Sequence, residues 1–234
     1  MLGFRRWVAP AVLIAAATLP ATAPASAAPG EERAALGGGS GIVLGGHAKC
    51  SLTTIGRDDA GRLVGFTAGH CGEPGTPVAG EQFPDAGAVG RVVTSDDTLD
   101  YAVIEFDPAK VTPLRSVGGT TIAGLAATPP GAWDVVCQNG RTIGEACGVV
   151  WSAGPGGFIE QACSSYGDSG GPLLLGDRLV GLVSGPLIND TRAMRFTCTS
   201  ALNPFHTPVV AVSFDSVRAA VDAGKGVGAG FQPI

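Results

Sequence analysis

Gly167-Asp168-Ser169-Gly170-Gly171-Pro172-Leu173-Leu174-Leu175 is the stretch on which the reading of this chain turns. Glycines bracket a single serine and an apolar run follows at once, so Ser169 is expected on a tight turn that enters a buried strand. Its hydroxyl is then held out from the backbone. The glycines also let neighbouring N–H groups point together, and the amides of Gly167 and Ser169 are candidates to surround the negative oxygen of a tetrahedral intermediate. An ordinary glycine-rich turn is the competing reading.

A serine hydroxyl is a weak nucleophile at neutral pH and needs a base. The chain contains three histidines, His47, His70 and His206. His70 ends the run Phe66-Thr67-Ala68-Gly69-His70-Cys71, where an apolar strand meets a turn and the next residue is a cysteine that can fasten the loop. His47 lies in a glycine-rich stretch that reads as surface. The imidazole in turn calls for a carboxylate against its other nitrogen. In Thr98-Leu99-Asp100-Tyr101-Ala102-Val103-Ile104 the acid directly precedes an apolar strand, whereas Asp96 and Asp97 form an acidic surface pair. Asp100 is therefore the candidate, against the plainer reading of a turn aspartate.

Met1 to Arg6 carries two adjacent arginines, Val8 to Leu19 is an apolar stretch too short to span a bilayer, and Ala25-Ser26-Ala27 supplies small residues. That order is a signal peptide over residues 1–27, cleaved after Ala27, with a membrane anchor or a twin-arginine signal as weaker readings. The chain is expected outside the cell, with no membrane association after cleavage. Loss of the leader takes two arginines and lowers the formal net charge of −5 by two more. No basic patch for nucleic acid remains. All six cysteines, Cys50, Cys71, Cys137, Cys147, Cys163 and Cys198, follow the leader, and an even count in an oxidising compartment implies three disulfides. Paired Cys-x-x-Cys spacing is missing, so neither a metal nor another cofactor is expected.

With 37 glycines and 15% charged residues, the composition favours short strands and turns over long helices. Residues 28–41, rich in alanine and glycine, read as a flexible stretch or short pro-segment, with order expected from about Ile42. Strand-like runs then recur at Cys50–Ile55, Leu63–Ala68, Ala88–Thr94, Tyr101–Phe106, Trp133–Gln138, Gly148–Trp151, Leu173–Leu175, Arg178–Ser184 and Pro208–Val212. Such spacing indicates an all-β sandwich or barrel. Only Ser213–Gly224 looks helical, with Phe214, Val217 and Val221 on one face, a Ser213 cap and Gly224 as the stop. A Gly/Thr/Pro-rich division at Thr112–Gly131 separates a first half, about 42–112, from a second, about 131–212.

The order His, Asp, Ser, carried by Thr67-Ala68-Gly69-His70-Cys71, Asp100-Tyr101-Ala102-Val103 and Gly167-Asp168-Ser169-Gly170-Gly171-Pro172, resembles the chymotrypsin-like serine proteases. The resemblance covers roughly residues 42–222 and is nearest to the bacterial branch with alpha-lytic protease and the Streptomyces griseus proteases. It implies two antiparallel six-stranded β-barrels packed together, a short C-terminal helix, and a cleft in which Ser169, His70 and Asp100 act. It further implies the pairings Cys50–Cys71, Cys137–Cys147 and Cys163–Cys198. Asp168 resembles the buried structural acid of the family. Its partner is left between two expectations: Arg141, standing in for an arginine that Gln138 replaces, or an amine freed by cleavage before Ile42.

The resemblance also places the specificity pocket between Ser164, Ser165 and Tyr166 on one side and Ser184, Gly185 and Pro186 on the other. Cys163 stands where basic-specific members carry an aspartate, so an uncharged, apolar side chain before the cleaved bond is expected. Pro186 stands where the family has glycine and removes a backbone N–H that would pair with substrate. The stretch Leu187–Phe196 is longer than in compact relatives. A glutamate-selective relative uses histidines near this pocket, which makes His206 a candidate, although Val183 stands where that relative has a further histidine. The implied partners are a peptide or protein substrate and, as a second class, a proteinaceous inhibitor, with the enzyme a monomer. The alternative of another kind is a non-catalytic binding module on the same fold.

Overall fold

The computed structural model describes residues 32–188, 196–203 and 205–234. The leader expected over residues 1–27 and most of the Leu187–Phe196 stretch lie outside the described residues. The first half carries β1 (Ala34–Gly37), β2 (Gly41–Leu44), β3 (Ala48–Ser51), β4 (Thr54–Arg57), β5 (Leu63–Thr67), β6 (Pro77–Gly80), β7 (Ala88–Asp96), β8 (Tyr101–Phe106) and β9 (Val111–Leu114). Three two-residue strands, β10 (Ser116–Val117), β11 (Thr120–Thr121) and β12 (Gly124–Leu125), make the crossing. The second half carries β13 (Val135–Gly140), β14 (Gly144–Gly154), β15 (Gly157–Glu160), β16 (Pro172–Leu175), β17 (Arg178–Pro186) and β18 (Val209–Ser213), then α1 (Phe214–Gly224) and β19 (Gln232–Pro233).

The second half closes into a barrel. Its strands run in the order β17-β16-β13-β14-β15-β18, and β18 pairs back onto β17, with β12 added outside β17. Val136, Val150, Phe158, Leu173, Val180, Val183, Val209 and Ala211 fill its interior. The first half curls without closing, in the order β19-β4-β5-β8-β7-β6-β2-β3. Its core centres on Phe66, whose ring meets Phe214 at 5.1 Å and Phe231 at 4.9 Å, both edge to face. Thus α1, although it follows the second barrel in sequence, is stapled to the first through Phe214, Val217 and Val221.

Three expectations are corrected. The first half is an open, curled eight-stranded sheet where a six-stranded barrel was expected. Residues 34–37 are not flexible: they form β1, parallel to β9, with Ala34 opposite Val111 and with Ala34 and Leu36 fully buried. Alanine and glycine have poor strand propensity, so what orders this segment is its tertiary partner rather than its own preference. The ordered domain therefore begins before Ile42. In α1, Ser213 occupies the N-cap position but makes no side-chain capping bond, and the left-handed stop is Lys225, one residue beyond Gly224. All three implied disulfides are formed. Truncating Leu36 to alanine should lower unfolding free energy by about 2–5 kcal/mol in a denaturant titration, the cost of a cavity at a packed site, whereas a flexible segment would show no change.

Candidate active site

His70, Asp100 and Ser169 come from three separate turns, and Ser184 links Ser169 to the Asp100–His70 pair. His70 lies in a single 3-10 turn, Gly69–Cys71, that follows β5, and the disulfide from Cys71 to Cys50 ties that turn to β3. Closing a loop of 21 residues stabilises by about 3 kcal/mol on the chain-entropy account. Asp100 sits just before β8 in the left-handed region, φ 47°, a conformation uncommon for a residue with a Cβ. From there its carboxylate takes two bonds from one residue: His70 Nδ1 at 2.9 Å and the His70 backbone N–H at 2.9 Å. A carboxylate can only accept, so Nδ1 carries the proton and Nε2 is left as the basic nitrogen.

Ser169 enters through the second barrel. The neighbouring Gly170 adopts φ 81°, and a Cβ there would collide with Thr67 Oγ1 and the Ser51 carbonyl, so only glycine lets the serine turn press against the first sheet. The Ser51 N–H donates to the Ser169 carbonyl at 2.8 Å, and Thr53 Oγ1 donates to the Gly170 carbonyl at 2.6 Å. Ser169 Oγ makes a long contact of 3.4 Å to the Ser184 carbonyl. Ser184 itself falls on a β-bulge, between Val183 opposite Ala211 and Gly185 opposite Val210. A bulge re-aims the side chain it carries. Here the Ser184 hydroxyl donates to Asp100 Oδ2 at 2.5 Å, so one residue touches both Ser169 and Asp100.

The electrostatics follow from these contacts. The hydrogen bond to Asp100 holds the His70 pKa above the ordinary value of 6.5, against burial, which lowers it. Burial alone would push Asp100 up, but bonds from the His70 ring, the Ser184 hydroxyl and the His70 amide bring it below the usual carboxylate range. The imidazolium is therefore stabilised where it would form.

Of the residues expected around the pocket, Ser164, Ser165 and Tyr166 run directly into Gly167. Ser165 is locked by exchange with Asp168: its N–H donates to Asp168 Oδ2 at 2.9 Å, and its carbonyl accepts the Asp168 N–H at 3.0 Å. Tyr166 is largely exposed. Gly185 and Pro186 pair with Val210 and Val209, and the Leu187 N–H donates to the Pro208 carbonyl. Neither expected partner of Asp168 bonds its carboxylate in this structure, although the charge of Arg141 still acts on it. Ile42 lies inside β2, opposite Cys50 and Gly80, where no free amine can form without breaking the sheet. Asp168 instead takes the N–H groups of Thr142 at 2.7 Å and Ile143 at 3.2 Å, while the Arg141 guanidinium bonds Glu81.

His206 is held against Gln161, whose Nε2 donates to its carbonyl at 2.8 Å, and its own Nδ1 lies 3.2 Å from the Thr207 carbonyl. Among the described residues, the one His/Cys/carboxylate group close enough for a metal is Cys50, His70 and Cys71, and its two sulfurs are joined to each other. Sequence reasoning missed Ser51, the bulge at Ser184 and Glu160. Glu160 is fully buried at the end of β15; one oxygen accepts the Ala162 N–H and the other has no protein partner, so burial pushes its pKa up to about 8.

No family model matches the chain. Streptogrisin-C of Streptomyces griseus is 31% identical over 162 residues, which is 63% of this chain but only 34% of that protein. Serine protease 2 of Streptomyces fradiae is 28% identical over 167 residues, 64% of this chain and 94% of that one. This chain belongs to the bacterial chymotrypsin-like serine proteases. A solved structure of a protease described as glutamic acid specific, with a histidine triad in substrate binding, superposes with a TM-score of 0.65 over 85% of this chain and all of that one. At 19% identity, that likeness shows the fold alone.

Two titrations test the site. Replacing Asp100 by asparagine should bring the His70 pKa down towards about 6.5, read from the imidazole signals by NMR. Glu160 keeps its proton in the folded state up to about pH 8, whereas the unfolded chain releases it near 4.5, so folding stability falls as pH rises between those values. Glu160→Gln should remove that loss and gain on the parent by about 1.4 kcal/mol per pH unit across the window, measured by urea unfolding at several pH values.

Proposed function

We propose that this chain is an exported endopeptidase that cleaves peptide bonds through an acyl-enzyme on Ser169. The observation that carries this is the chain of contacts from the His70 ring to Asp100, from Asp100 to the Ser184 hydroxyl, and from the Ser184 carbonyl to Ser169 Oγ. Ser169 Oγ bonds to the scissile carbonyl carbon while its proton passes to His70 Nε2. The carbonyl oxygen takes the negative charge and is met by the Gly167 and Ser169 amides. His70 then gives the proton to the leaving amine as the C–N bond breaks. Water repeats the attack, losing a proton to His70 that returns to Ser169 as the acyl group leaves. Asp100 orients His70 and stabilises its charged form. Three disulfides fit an oxidising compartment and support export.

An uncharged, apolar side chain before the cleaved bond fits best. Cys163 is consumed in a disulfide with Cys198 at the position where basic-specific relatives carry an acid, and Ser164, Ser165 and Gly185 offer no charge. The exposed Leu187, Phe196 and Phe205 add apolar surface in the chain that follows Pro186. A fluorophosphonate probe should modify Ser169 in the folded protein and leave Ser169→Ala untouched, read by mass spectrometry of the labelled peptide. A folded parent that stays unmodified sinks the enzyme reading in favour of a binding module. A peptide-library profile should show cleavage after apolar residues; cleavage after glutamate would instead support the role of His206.

A further inference from the structure

Asp168 carries a carboxyl group into a site with no solvent access, and its bonds to the serine loop help set where Gly167 and Ser169 lie. What fixes the donors of those bonds is a separate question. Thr142 and Ile143 belong to the turn between β13 and β14, which by itself is a surface hairpin. The residue before them is pinned at both its backbone and its side chain. The Arg141 N–H donates to Ser51 Oγ at 2.9 Å, and Ser51 Oγ donates onward to the Gly167 carbonyl at 2.9 Å. The Arg141 guanidinium makes a two-pronged bond to Glu81, Nε to Oε2 at 2.5 Å and Nη2 to Oε1 at 2.7 Å, while its third nitrogen donates to Thr142 Oγ1 at 2.9 Å. Glu81 follows β6 in the first sheet, so this fork crosses from one half of the protein to the other. Lys49 Nζ, 3.1 Å from Glu81 Oε1, is a third member.

We propose that Glu81 and Arg141 are positioning residues for the oxyanion loop, their ion pair between the two halves fixing the 141–143 turn whose amides hold Asp168. The proposal rests on the serine-protease reading and adds to it how the site is assembled without a freed N-terminus. Three observations converge on it. The fork geometry fixes orientation as well as distance, which a lone ammonium would not. Both side chains are four-fifths buried, at 21% exposure, so the pair is shielded from the screening that makes surface bridges weak. The guanidinium also lies directly against the loop it serves, since a Cβ on Gly167 would collide with Arg141 Nη1. Thr142 Oγ1 completes the connection by donating to the Tyr166 carbonyl at 2.7 Å. The segment 141–143 thus grips the serine loop at Tyr166 and Asp168, and Ser51 grips it at Gly167 and Ser169.

The test uses the whole enzyme with Glu81→Gln, Arg141→Ala, their combination and Arg141→Lys. With a peptide p-nitroanilide, each single variant should lose at least about tenfold in kcat with KM little changed, because the oxyanion contact is made in the transition state. The double variant should be no worse than Arg141→Ala, the signature of two residues acting as one unit. Arg141→Lys should recover part of the loss. Hydrogen exchange read by mass spectrometry should show faster exchange in the peptide spanning residues 164–171 in Glu81→Gln, at unchanged far-UV circular dichroism. Parental kcat in both single variants, or losses that multiply in the double variant, would overturn the proposal, as would unaltered exchange in that peptide. A parent protein without activity counts against the protease reading alone, and the exchange measurement still decides the clamp.

Discussion

A carboxylate with no solvent access is the constraint on which the rest of this structure hangs. An ionised group buried in a protein interior is tolerated only when hydrogen bonds replace the water it has lost. Burial raises the pKa of Asp168, and the amides of Thr142, Ser165 and Ile143, with the charge of Arg141, work against that rise. Those donors come from two different loops, so satisfying one side chain fixes both. The serine turn has little choice left once Asp168 is held, since Gly167 and Ser169 are its immediate neighbours.

The division of labour between the two halves follows from this. The first sheet supplies His70 and Asp100, and it also supplies Ser51, whose backbone and hydroxyl both bond the loop that carries Ser169. The closed second barrel supplies Ser169 and, through one bulged residue, the hydroxyl that shares Asp100 with His70. Each half therefore finishes a site begun by the other. The C-terminal helix works in the same direction, leaving the second barrel to bury Phe214 against Phe66 of the first sheet. Separating the two halves would break polar and apolar contacts together.

Much of the fold was legible in order and spacing. Short apolar runs between turn residues marked about half of the strands, because a half-buried strand needs that alternation whatever it pairs with, but β2, β6, β9 and β15 were passed over. β1 was not legible, since Ala34-Ala35-Leu36-Gly37 carries no strand preference and is held by Val111–Leu114, far away in sequence. The open first sheet was equally hidden, as closure depends on how edge strands meet rather than on their composition. At the site, Ser169 announced itself through the glycines around it and His70 through scarcity. Ser184 gave a different signal, reading as pocket wall, because a bulge that turns a hydroxyl towards an acid 84 residues away leaves no local mark.

The sequence by itself singled out a serine, a histidine and an acid as candidates, in the order the family resemblance implies, because each stands in a distinctive local setting. It also determined that six cysteines would be bridged. Only the tertiary structure decided how the site is held together. Glu81, Arg141 and Ser51 are common polar residues with nothing unusual about their neighbours, and Ile42 looked like a new N-terminus until it was seen in the middle of a sheet. The physical reason is the same in each case: a hydrogen bond or ion pair between distant segments depends on where two backbones arrive, and that is set by the packing of the whole chain.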